Sequence, residues 1–124
     1  MAINASANLA VQIPSGPAFS LAWNVNADAY DRATVTIPHD GNPHDVQLQP
    51  SGGDHVLLLI ITCTDYSGKL AAKIGSDTFH VKSPQIISGS DIVNSISATP
   101  NPITFTNTGA SDVIVDLLVL RTAT

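Results

Sequence analysis

The densest group of chemistry-bearing side chains in this chain is Pro38-His39-Asp40-Gly41-Asn42-Pro43-His44-Asp45, which sets two imidazoles beside two carboxylates. His39, His44 and Asp40 are the candidate ligands of a transition metal. Zinc is held by three or four side chains converging at about 2.0 to 2.3 Å, normally on rigid elements. Here the two histidines flank a Gly and a Pro inside a turn, and the spacing recurs nowhere else, so solvated turn histidines are the expectation. A metal enters only if His39 and His44 face each other across a hairpin. Calcium draws on Asp40, Asn42 and Asp45, but an EF-hand loop closes on a bidentate acid at its twelfth position. All ten acidic residues are Asp, and no Glu exists to play that part. No cofactor is expected.

Covalent chemistry is no better served. Serine, histidine and aspartate are plentiful, yet no Gly-x-Ser-x-Gly elbow marks out one serine as a nucleophile. Ser51-Gly52-Gly53-Asp54 precedes a strand-like run rather than a helix, so it is not a phosphate loop. Glycoside hydrolysis by paired carboxylates would need two aspartates, and none are distinguished. A cupin-like site would gather His39, His44 and His80, but the His-x-His and Glu pattern of such sites is missing. Cys63, the sole cysteine, closes an apolar run, where a buried and unreactive thiol is expected. The chain therefore reads as non-enzymatic. Sugar binding is the remaining chemistry, since β-sandwich loops hold carbohydrate with Asp or Asn and an aromatic platform. Tyr30 and Tyr66, with Asp65, are its candidates, whereas Trp23 lies on the apolar side of an alternating run and is assigned to the core.

Composition narrows the partners. Five basic and ten acidic residues give a net charge of −5 and a charged fraction of 12%, about half the usual ~25%. Five cations cannot track a phosphate backbone, so no nucleic acid is expected. A hydrophobic fraction of 44% excludes disorder. The longest apolar run, residues 56–61, is far short of the roughly 18 residues of a membrane span, so no membrane is expected either. Residues 1–10 have no basic region and no sustained apolar core, and do not read as a secretory signal. Localisation stays open at this point: synthesis in the cytosol, a leader removed beforehand, and a place in a virion are all compatible with the sequence.

The elements that must position these residues are strands. Short alternating or continuous runs of β-branched and aliphatic residues recur every eight to twelve positions between turn signals, the spacing of a sandwich or barrel. Strands are expected at residues 9–13, 19–25, 34–37, 46–49, 55–64, 69–74, 78–82, 92–98, 103–106 and 112–121, with a loop at 26–32 and irregular chain at 83–91. Residues 103–120 read as a hairpin turning at 107–111, and 65–74 is the best helical candidate, though Gly68 and its shortness oppose a long helix. The prediction is a single all-β domain over residues 1–124: an antiparallel two-sheet β-sandwich, with a jelly roll favoured over an immunoglobulin-like Greek key.

Two runs, 56–63 and 113–120, are apolar at nearly every position and need cover on both faces, whereas a sandwich strand normally buries one. A neighbouring subunit is the simplest second surface, with Val56, Leu58, Ile60, Val113, Val115 and Leu117 at the interface. The alternative is residues 83–91 folded over the outer face.

The tail from Ser97 to Gly109 and the final strand, rich in small and hydroxylated residues, resembles the small β-sandwich subunits of phage particles and related assemblies. That resemblance implies a decoration, fibre or baseplate-type structural piece and carries over no functional residue. A self-associating structural module, trimeric and packed with other particle proteins, is the leading expectation. A lectin-like carbohydrate-binding module stands second, and a domain with a minor metal site third.

Overall fold

In the computed structural model, which describes residues 3–47, 55–96 and 102–122, ten strands and one short helix follow one another. They are β1 (Ile3–Gln12), β2 (Ala18–Ala27), β3 (Ala29–Ile37), β4 (Pro43–Val46), β5 (Val56–Cys63), β6 (Leu70–Ile74), β7 (Asp77–His80), β8 (Gln85–Ser88), α1 (Ser90–Ile96), β9 (Ile103–Asn107) and β10 (Val113–Arg121).

From β3 onward the strands pair as a nested antiparallel series: β3 with β10, β4 with β9, β5 with β8 and β6 with β7. Further pairing of β10 with β5 and of β6 with β9 joins them into two four-stranded sheets, β3-β10-β5-β8 and β4-β9-β6-β7. Between β3 and β10, the β6–β7 hairpin stays within one sheet and every other connection crosses to the opposite sheet. The two sheets form an antiparallel sandwich around Ile37, Ile61, Leu70, Ile74, Ile103, Phe105, Val115 and Leu117, each at most 2% exposed.

The two sheets differ in how they meet water. In the second, β9 alternates Ile103, Phe105 and Asn107 inward with Thr104 and Thr106 outward, so one face is polar, as antiparallel sheets allow. In the first, β5 and β10 are apolar on both faces around Leu58, Ile60, Leu118 and Leu120, and the outer face turns polar at Thr62 and Asp116. Val113, Val115, Leu117 and Val119 point into the sandwich, and Leu118 and Leu120 point out. A β-bulge where the register steps from Leu120↔Leu58 to Arg121↔Val56 leaves Leu57 as the extra residue and turns Val56 into the core.

The second cover comes from the chain's own N-terminus. β1 and β2 form a separate hairpin, and its base lays Val25 and Ala27, with Ala5 and Trp23, over Leu58 and Leu120. Residues 83–91, the alternative cover, instead supply edge strand β8 and the start of α1.

Local expectations are corrected in four places. Residues 26–32 are strand apart from a bend at Asp28, because the pairing of Ala29 through Ile37 with β10 overrides the loop-like composition. The strand expected at 92–98 is α1 as far as Ile96, with 97–98 outside the described residues. Gly89 enters it at φ +103°, Asp91 sits in its first turn where the helix dipole favours an anion, and Val93 is buried in the core. The strand expected at 69–74 is observed as β6, Leu70–Ile74, and the helical alternative at 65–74 is not realised. Residues 103–120 are not a hairpin: β9 and β10 belong to opposite sheets, and the chain between them crosses the sandwich. The strand expected at 46–49 is β4, ending at Val46, with 48–49 outside the described residues.

Candidate functional site

The histidine loop connects β3 to β4 and turns through Gly41 at φ +71°. Its two imidazoles do not converge. His39 Nδ1 lies 2.6 Å from Asp112 Oδ1, whose carboxylate also accepts from the His39 backbone N–H at 3.2 Å. His44 Nε2 lies 3.0 Å from Asp40 Oδ2, and Asp40 Oδ1 accepts from the Asn42 N–H at 2.9 Å. Each histidine is therefore tied to a different aspartate. Among the described residues no group of three His, Cys, Asp or Glu side chains is placed to hold a metal ion. His80 is remote, with Nδ1 3.0 Å from the Gly68 carbonyl. The Asn42 N–H and then His44 hold Asp40 below the usual carboxylate range, and His39 does the same for Asp112.

The sugar-binding candidates separate as well. Tyr30 opens β3 opposite Leu120 and is 60% exposed. Tyr66 lies beyond the other end of that sheet, packed against the core, with its hydroxyl accepting the Cys63 N–H at 3.1 Å. Asp65 spends its carboxylate on the Ser67 N–H at 2.8 Å, which holds its pKa low. The tyrosines share no platform. Cys63 is half-buried, its thiol donating to the Asp65 carbonyl at 3.1 Å, and burial pushes its pKa up, the reverse of what a nucleophile needs.

Of the six residues expected at an interface, Val56, Val113, Val115 and Leu117 are inside the sandwich, and Leu58 is sealed by the hairpin base. Only Ile60 reaches the surface. It belongs to a row across the outer face of the first sheet that register defines as Arg32, Leu118, Ile60 and Ile86. The row toward β3's start, Tyr30, Leu120, Leu58 and Ser88, is the one seated under the hairpin base at its centre. The row on the other side is polar: Asp116 pairs with Arg32 at 2.9 Å and accepts from Thr34 at 3.3 Å, and Thr62 stands beside it. The Arg32 hydrogen bonds draw the Asp116 pKa down.

The surface that sequence reasoning missed is the hairpin. One face carries Ile3, Ala5, Ala7, Leu9 and Val11 from β1 and Phe19, Leu21, Trp23, Val25 and Ala27 from β2, matched across the ladder as Leu9↔Leu21 and Val11↔Phe19. Its inner half packs on the sandwich. Its outer half overhangs: Leu9, Val11, Phe19 and Leu21, with Ile13 at the turn, are all exposed, Phe19 by 59%. Between hairpin and sheet runs an apolar groove of about 240 Å³ bordered by Leu9, Trp23, Ile60, Ile86 and Leu118. The Trp23 indole N–H is buried there without an acceptor among the described residues. Alternation of Phe19, Leu21, Trp23 and Val25 suggests a core strand; the signal that distinguishes it is charge. No charged side chain precedes Asp28, so all of the chain's charged side chains lie after the hairpin.

Compared with known proteins, the chain matches no family model, and no curated protein and no solved structure matches it. Among the described residues no helix is long and apolar enough to cross a membrane.

Proposed function

We propose that this chain is a non-enzymatic structural module that self-associates and packs into a larger assembly of the phage-particle kind, with a sandwich of jelly-roll type. The nested pairing of first strand with last, and so on inward to the β6–β7 hairpin, supports the jelly-roll reading. One observation carries the functional reading: a charge-free hairpin whose apolar face continues past its own sandwich. The overhang is of the size of the largest apolar patch on a soluble monomer, and such patches often serve as contact surfaces.

Light scattering after size exclusion tests the reading. Wild-type protein at about 50 μM is expected to elute as an oligomer. Leu21→Asp in the overhang should raise the dissociation constant at least about thirtyfold while leaving the thermal melt of the sandwich in place. A wild-type monomer at that concentration would remove the reading's support.

A carbohydrate-binding module is the second reading, and Tyr30 favours it. This exposed ring borders a shallow depression of about 350 Å³ with Arg32, Thr62 and Asp116, the stacking surface and polar groups a sugar uses. A glycan array probed with wild type and Tyr30→Ala tests it, and absence of any Tyr30-dependent signal counts against it.

A further inference from the structure

The His39–Asp112 and His44–Asp40 contacts satisfy themselves internally and the depression beside Tyr30 is shallow, whereas the overhanging hairpin leaves an apolar face uncovered. From it we infer that the hairpin is an exchange arm: the overhanging half of one copy seats on the outer face of the β3-β10-β5-β8 sheet of a second copy, and the contact is reciprocal about a two-fold axis. The inference rests on the self-association proposed above and names its partner surface and symmetry.

The occupant follows from chemistry and from area. The arm has no charged side chain, so a highly charged partner finds nothing on it to pair with, while a chain of net charge −5 can receive it without like-charge repulsion. The matching surface lies beside the arm's own seat. Ile60, Leu118 and Ile86 form an apolar row next to Leu58 and Leu120, which the arm's base already covers within the chain. A second arm laid along this row would extend packing of the same kind and close the groove that Trp23 borders.

Area selects the symmetry. The five overhanging side chains expose on the order of 400 Å² of apolar surface. The seat offers less than the arm: Ile86 is about half exposed and Ile60 and Leu118 are half-buried, on the order of 200 Å² together. In a head-to-tail ring, trimers included, each pairwise contact holds one arm in one seat and buries about 600 Å² in total, the size of a weak or incidental contact. A two-fold contact collects both arms and both seats, about 1,200 Å², the lower end of a specific interface. The inference therefore departs from the trimer expected from the sequence.

Cross-linking between distinguishable chains tests this in a Cys63→Ser background, provided that background keeps the wild-type mass. One tagged chain carries Phe19→Cys on the arm and a differently tagged chain carries Leu118→Cys on the sheet; the two are mixed and treated with a short bis-maleimide. The expected result is a dimer mass by light scattering, at least about tenfold more mixed product than either self-linked product, and a shift in the fluorescence of Trp23, the only tryptophan. The pair Leu21→Cys and Ile86→Cys repeats the test with other surface positions. An oligomer in which Phe19→Cys chains link chiefly to one another, or whose mass is that of three chains, overturns the exchange geometry and leaves self-association standing. A monomer that gives no cross-link overturns both.

Discussion

Asn107 is the one buried polar residue among the described residues, at 0% exposure, and every polar atom of its amide is engaged. Its Nδ2 donates to the carbonyls of Ile37 and Ser111 at 3.1 and 2.8 Å, and its Oδ1 accepts the Gly109 N–H at 2.9 Å. One side chain thereby ties the end of β3 to the crossing from β9 to β10. Asn107→Ala would strand two carbonyls and one N–H and open a void, so we expect a loss of about 2 to 4 kcal/mol in urea unfolding. The sequence shows Asn107 only as a turn residue; its role depends on a strand end 70 positions away.

The surface aspartates set the acid limit. Asp40, Asp65, Asp112 and Asp116 all have folded pKa values below their ordinary value, through the Asn42 N–H, the Ser67 N–H, His39 and Arg32 respectively. The unfolded chain therefore takes up protons first as pH falls, and stability falls with it. Their contribution is complete above the unfolded carboxylate range and is lost on titration through the lower folded values. Melting temperature should hold between about pH 7 and 5 and drop below about pH 4, and Asp112→Asn should make that drop shallower. Each carboxylate is solvent-exposed, so the four effects are individually small.

At the scale of elements, the hairpin is divided into two regimes by what lies beneath it. A two-stranded ribbon is marginal alone in water; here β1 and β2 are held by the contact of Val25 and Ala27 with Leu58 and Leu120. Replacing residues 9–21 by an Asn-Gly turn, which suits a tight hairpin, should keep that base and remove the overhang. We expect an unchanged sandwich melt and a monomer by light scattering; a variant that still associates would place the contact elsewhere. The hairpin itself was half legible. Pro14-Ser15-Gly16-Pro17 marks its turn, which Ser15 makes at φ +59° with the Gly16 N–H on the Ile13 carbonyl at 2.9 Å. Alternation on β2 marks a face, but not whether protein covers it. The opposite error occurs at β9 and β10, where strand, turn and strand read as a hairpin although the turn carries the chain between sheets. At α1 the β-branched residues favour a strand, and the buried contact of Val93 holds the helix.

For the whole molecule, the sequence by itself determined the class: strands at a regular spacing, two of them apolar on both faces, antiparallel sheets packed as a sandwich, and a chain short of charge. Those features are local, because side-chain alternation and turn chemistry are written into neighbouring residues. Tertiary structure alone decided which strands pair, that Val56, Val113, Val115 and Leu117 are interior, and that the second cover for β5 and β10 is the chain's own N-terminal hairpin. It also tied His39 and His44 to different aspartates and set Tyr30 and Tyr66 at opposite ends of one sheet, so that neither pair suggested by the sequence shares a site. The reason is physical: periodicity states that a face is apolar, while what buries it depends on contacts between segments far apart in the chain, here residues 3–27 against β5 and β10.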